Sequence, residues 1–115
     1  MTALEVSPEA LKTARKNARF HGVYQRVSLF RSDLFEVLGL KHRSHWDTVV
    51  SNPPYVPRSD FRGLQREVKK EPRLALDGGP QGLDLLKAIL QKAPTYLKPG
   101  GFILLEIGKG QTQAL

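Results

Sequence analysis

The apolar run Thr48-Val49-Val50 stops at Ser51-Asn52-Pro53-Pro54-Tyr55. Pro53 has no N–H to give a sheet and holds Asn52 extended, so a strand arriving here must end and leave the sheet edge as a stiff turn. Asn52 then offers an amide oxygen, Pro53 an unpaired carbonyl and Tyr55 a flat ring. In open α/β sheets, ligands sit beyond the carboxyl ends of the strands, which is where this turn falls. Asn-Pro is also a common turn opener, and the tetrapeptide alone fits an ordinary strand exit as well.

The rest of the chain alternates strands and helices. Thr2 to Val6 reads as a short strand closing on an acid, Glu5. Ser7 suits an N-cap, Pro8 the first helical position and Glu9 the positive end of the helix dipole. The helix runs to about Phe20, with Ala10, Leu11, Ala14 and Ala18 inside and Gly22 at its C-terminal cap. Val27 to Phe30 is a second strand, followed by Arg31-Ser32-Asp33 and a short helical or irregular piece from Leu34 to Leu40. Trp46 to Ser51 is the third strand. Val56 to Gly82, with Pro57, Gly63, Pro72, Gly78, Gly79 and Pro80, is a long connection of the kind that serves as a binding loop or stays disordered. It carries a charged, helix-like piece, Leu64 to Lys70. Leu83 to Tyr96 places Leu83, Leu86, Ile89, Leu90 and Ala93 on one helical face, and Pro94 distorts its last turn. Pro99-Gly100-Gly101 turns tightly into Phe102 to Ile107, a continuous apolar run of the kind found in strands buried on both faces. This order predicts one α/β domain, residues 1–115, with a mainly parallel sheet and flanking helices.

A chain of 115 residues allows one small domain. No apolar stretch approaches the roughly 18 residues of a membrane helix. The absence of cysteine excludes disulfides and thiolate chemistry and suits a cytoplasmic protein. His21, His42 and His45 lack metal-ligand spacing and read as surface residues. The net charge of +7 points toward a polyanion such as RNA. However, Lys12, Arg15, Lys16 and Arg19 recur at helical spacing as one solvated face, so direct nucleic-acid contact is the less favoured reading.

Glu5 closing one strand, Asp33 following the next and Asn52-Pro53-Pro54-Tyr55 following the third resemble the Rossmann-like fold of class I S-adenosylmethionine-dependent methyltransferases. More narrowly, Val50 to Val56 resembles the HemK/PrmC family, which methylates a glutamine side chain in peptide chain release factors. Glu71 to Gly79 with Gly82-Leu83-Asp84, and Gly100 to Gly108, support the narrower match. The resemblance implies S-adenosyl-L-methionine as cofactor, a release factor as protein partner, and a role in translation termination. It assigns Glu5 to the ribose hydroxyls, Asp33 to the adenine amino group and Leu34 to the adenine face. Asn52 and Pro53 take the substrate's amide N–H groups, and Pro54 and Tyr55 complete the catalytic turn, with Asn52 also beside the methyl donor. A carboxylate does accept two hydroxyls well. Yet Glu5 is also an ordinary strand-end charge, and Asp33 an ordinary turn residue. Glu71 either holds the substrate amide or makes an ion pair on a helix surface. No metal is implied.

The family's first strand, with its glycine-rich loop, its last strands and its amino-terminal domain have no counterpart here. The expectation is a partial catalytic domain whose strands form two half-sheets, the absent first strand lying between those of Glu5 and Asn52. Such a chain would bind cofactor weakly. Two other readings stand beside this one: an adenine amino-group methyltransferase acting on RNA or DNA, and a truncated, inactive module.

Overall fold

The computed structural model describes residues 1–115 and divides into two compact units, Met1–His42 and Arg43–Leu115. The first holds β1 (Thr2–Glu5), α1 (Pro8–Phe20) and β2 (Ser28–Arg31), with β1 and β2 paired in parallel so that Glu5 stands opposite Arg31. The second holds β3 (Trp46–Ser51), α2 (Asp84–Lys92) and β4 (Leu97–Leu105), with β3 and β4 also parallel. The strands therefore form two two-stranded sheets, the pairing expected of two half-sheets. No helix is long and apolar enough to cross a membrane.

Local signals decide α1. The Ser7 hydroxyl accepts from the Ala10 N–H at 3.2 Å, Pro8 opens the helix, and Glu9 lies in its first turn. At the other end Gly22, with φ +67°, lets its own N–H reach Arg19 O and the Val23 N–H reach Ala18 O. This paired closure needs a left-handed residue, which glycine supplies without strain. Leu11 and Ala18 are buried, but Ala10, expected inside, is exposed because the buried stripe repeats every seven residues and passes beside it. The Arg15 position is half-buried, while Lys12, Lys16 and Arg19 stay in solvent.

In the second unit α2 buries Leu86 and Ile89, with Leu83 and Ala93 buried at its ends. The chain tightens into a 3-10 turn over Ala93–Thr95, which is the distortion expected of Pro94. Two expectations fail in β4. Pro99-Gly100-Gly101 does turn tightly, with Gly100 at φ +79°, but the turn falls inside the strand as a bulge and not before it: β3 goes from Trp46 to Thr48 while β4 goes from Leu97 to Phe102. Nor is the strand buried on both faces. Val50, Phe102 and Leu104 are 72%, 57% and 53% exposed, while Val49, Ile103 and Leu105 on the other face are half-buried.

The Val56 to Gly82 connection is ordered by three 3-10 turns, Arg58–Gly63, Val68–Lys70 and Arg73–Ala75, rather than a helix over Leu64 to Lys70. Between Leu34 and Leu40 the chain is irregular. Of the histidines, His42 is half-buried rather than a surface residue, its Nδ1 accepting from the Gly39 N–H at 3.2 Å.

Candidate functional site

The carboxylates lie in the first unit. Glu5 is the last residue of β1, its carbonyl accepting the Ser32 N–H at 3.0 Å to prolong the ladder. Its side chain folds toward the start of α1, where Oε1 accepts the Ser7 N–H at 2.8 Å. One hydrogen bond fixes the carboxylate and leaves its other oxygen and remaining lone pairs for a ligand. Asp33 borders an open recess of about 460 Å³, lined also by Val6, Arg31, Ser32, Glu36 and Val37. Ser32, the one buried polar residue, shapes that recess: its Oγ accepts the Val37 N–H at 3.1 Å, while the Glu36 N–H bonds the Asp33 carbonyl. Leu34 has φ +44°, a left-handed conformation that costs a leucine about 1–2 kcal/mol. Neither Glu5 nor Leu34 lines the recess. Arg31, which the sequence did not single out, does.

The turn lies in the second unit. The Glu106 N–H closes the last rung on Ser51 O at 3.0 Å, and Asn52 follows immediately. Asn52 is exposed and its side chain is committed to no partner in the protein, whereas Pro53 is buried and anchors the turn. Tyr55 is half-buried, and its hydroxyl donates to Glu106 Oε1 at 2.8 Å. That bond, then desolvation and the charges of Glu106 and Glu71, push the Tyr55 phenol above its ordinary value of 10.0. Glu71 is exposed and belongs to none of the ion pairs, which join Arg58 and Arg73 to Asp77 and Lys98 to Asp47. The surface ion pair expected as its ordinary use is therefore not there.

Tyr55 gives a titration signature. With the folded value raised, the pair's contribution is complete below pH ~10 and lost as the pH rises through the folded value. With three tyrosines in the chain, ultraviolet titration should lose one phenolate's share of the signal in Tyr55→Phe, and that share should move down in pH in Glu106→Ala. A transition that stays put in Glu106→Ala would mean the hydroxyl is not bonded to that carboxylate.

The residues after Tyr55 are tied to a second loop. The Val56 N–H donates to Leu76 O at 2.9 Å, and the Gly78 N–H to Val56 O at 3.1 Å, making a parallel bridge between Val56 and Asp77. Asp77 is the node: it accepts Arg58 Nε at 3.0 and 3.2 Å and the Gly79 N–H at 2.9 Å. The Gly79 N–H and then the Arg58 guanidinium hold its carboxyl below the usual aspartate range. Gly78 packs so closely that an added Cβ would lie 2.8 Å from the Cα atoms of both Tyr55 and Gly82.

No family model matches the chain. Curated relatives do. The release factor glutamine methyltransferase of Geobacter sulfurreducens is 47% identical over 116 residues, covering all of this chain, and that of Moorella thermoacetica is 47% identical over 114 residues, covering 98% of it. The chain belongs to the release factor glutamine methyltransferase (HemK/PrmC) family. It spans 39% of the length of each of those two relatives. A ribosomal protein uL3 glutamine methyltransferase of Bradyrhizobium diazoefficiens is 42% identical over 109 residues, 95% of this chain and 33% of that protein.

Within the Glu71 to Asp84 stretch, Leu76 and Gly78 are bonded through their backbone to Val56, and Gly78 and Gly82 pack on the backbone of Tyr55. Sequence reasoning missed two contributors to this arrangement, Glu106 and Gln111. Glu106 carried a readable signal: like Glu5, it is an acid at the end of a strand. Gln111 carried none.

Proposed function

We propose that this chain is the part of a glutamine methyltransferase catalytic domain that holds the cofactor's nucleoside and the substrate's amide, with a peptide chain release factor as substrate. The observation that carries this reading is Asn52, an uncommitted amide at a strand end, on a turn anchored by buried Pro53 and by the Tyr55–Glu106 bond. The carboxylates of the first unit fit a nucleoside. Glu5 is immobilised through one oxygen with acceptor capacity to spare for ribose hydroxyls, and Asp33 faces a recess as an acceptor for an adenine amino group. Bound S-adenosylmethionine supplies an electrophilic methyl group on a cationic sulfur.

An amide nitrogen is a poor nucleophile because its lone pair is delocalised into the carbonyl. Asn52 Oδ1 and the Pro53 carbonyl each accept one substrate N–H, so the nitrogen is fixed with its lone pair toward the methyl group. Tyr55 packs its ring on the substrate amide, and Glu106 fixes the ring's tilt through the hydroxyl. No side chain is needed as a base, since the nitrogen sheds its proton to water once it is alkylated. The gain is orientational, an effect that supplies up to about 7–11 kcal/mol of a barrier. A cytoplasmic location follows from a substrate that works in translation.

The relative acting on ribosomal protein uL3 supports a second reading, in which the same turn serves a ribosomal glutamine. A chimera that supplies the remaining length from the Geobacter sulfurreducens relative tests both. Given a methyl-labelled donor, it should label one glutamine of a release factor and leave uL3 and an oligonucleotide unlabelled. Label on uL3 alone would shift the substrate, label on an oligonucleotide would restore the adenine reading, and no label would leave the inactive module. In calorimetry the 115-residue chain should bind S-adenosylhomocysteine more weakly than the chimera does.

A further inference from the structure

Gln111 opens the 3-10 turn Gln111–Ala114 and is half-buried. Its Nε2 donates to Tyr55 O at 3.0 Å and to Gly82 O at 3.1 Å, and its Oε1 accepts the Gly108 N–H at 2.7 Å. Two carbonyls and one N–H admit a single orientation of the amide, and both N–H groups are used. Gln111 thus joins three segments: the end of the Asn-Pro-Pro-Tyr turn, the loop entering α2 and the chain leaving β4. The Tyr55 carbonyl is otherwise untethered from that side, while the Tyr55 hydroxyl is held by Glu106 at 2.8 Å. Backbone and ring of Tyr55 are therefore fixed independently, both from the strand exit after β4.

We propose that Gln111 is a positioning residue for methyl transfer: it fixes the carbonyl end of the Asn-Pro-Pro-Tyr turn, and with it the directions of the Asn52 and Pro53 acceptors. The inference rests on the reading that this turn holds the substrate amide. Gln111→Glu is the sharp variant. It keeps size and shape and the acceptor for Gly108, but puts a carboxylate oxygen against two carbonyls. Protonation returns one donor, so the defect must ease in acid.

Two measurements test this. In the 115-residue chain, amide exchange in Gln111→Glu should speed up by about tenfold or more at Val56 and Gly78 while β4 amides keep their protection. In the chimera, kcat should fall by about tenfold or more above neutral pH with KM for the cofactor held, and recover toward acid, which Gln111→Ala should not do. Uniform acceleration of exchange, or an unchanged kcat, overturns the inference. If the unsubstituted chimera transfers no methyl group, the proposed function has failed, and the exchange pattern decides the tether by itself.

Discussion

Asn52→Ala in the chimera should reduce methyl transfer to glutamine by about a hundredfold or more while shifting stability by no more than about 0.5 kcal/mol. The two halves of that expectation come from different features of one residue. The Asn52 side chain is exposed and bonds nothing in the protein, so removing it leaves no cavity and strands no buried partner. The turn stays because Pro53 and the Val56 ladder hold it. The catalytic loss is large because an amide nitrogen must be presented with its lone pair free. One acceptor in place of two lets the substrate amide rotate, and a tenfold loss corresponds to only about 1.4 kcal/mol. Asn52→Asp separates acceptor from donor. It keeps an oxygen for the substrate N–H and should retain more activity than alanine, provided the accepting oxygen is what matters. Equal loss in both variants would give the role to the Asn52 N–H instead. A loss below threefold in Asn52→Ala would remove this turn from the reaction.

What could be read from the sequence was what neighbouring residues decide. Ser7-Pro8-Glu9 and Gly22 delimit α1 because caps act over three or four residues, and Pro53 ends β3 because its ring acts on Asn52 directly. The bulge in β4 escaped because what puts the Pro99-Gly100-Gly101 turn inside the strand is the pairing of Leu97 with Trp46 ahead of it, a contact across the sheet that the turn residues themselves do not announce. The apolar run Phe102 to Ile107 promised two covered faces, but composition states what a strand can bury, not whether a layer is present to bury it. The site divides the same way. Asn52 announced itself by its proline, whereas Tyr55 and Glu106 are 51 residues apart and meet only through the β3–β4 register. A glutamine such as Gln111 has no periodicity or charge to mark it.

Gly82→Ala should destabilise the second unit by about 3 kcal/mol or more, against about 1 kcal/mol for Gly100→Ala. The pair isolates one cause. Both glycines hold left-handed backbones, with φ +72° at Gly82 and +79° at Gly100, so both substitutions bear the same conformational strain. A Cβ at Gly100 meets nothing within 4 Å, while one at Gly82 runs into the Tyr55 carbonyl oxygen and lies 2.7 Å from Gln111 Nε2. Neither neighbour can give way cheaply: the carbonyl is backbone, and moving Gln111 forfeits its bonds to Tyr55 and Gly82. The excess of Gly82 over Gly100 therefore measures how firmly the loop before α2 is pressed onto the Asn-Pro-Pro-Tyr turn. Exchange of β3 and β4 amides reads it within one unit, so the first unit's stability does not enter. If the two substitutions cost the same, the loop has moved aside freely, and the turn is not held from that direction.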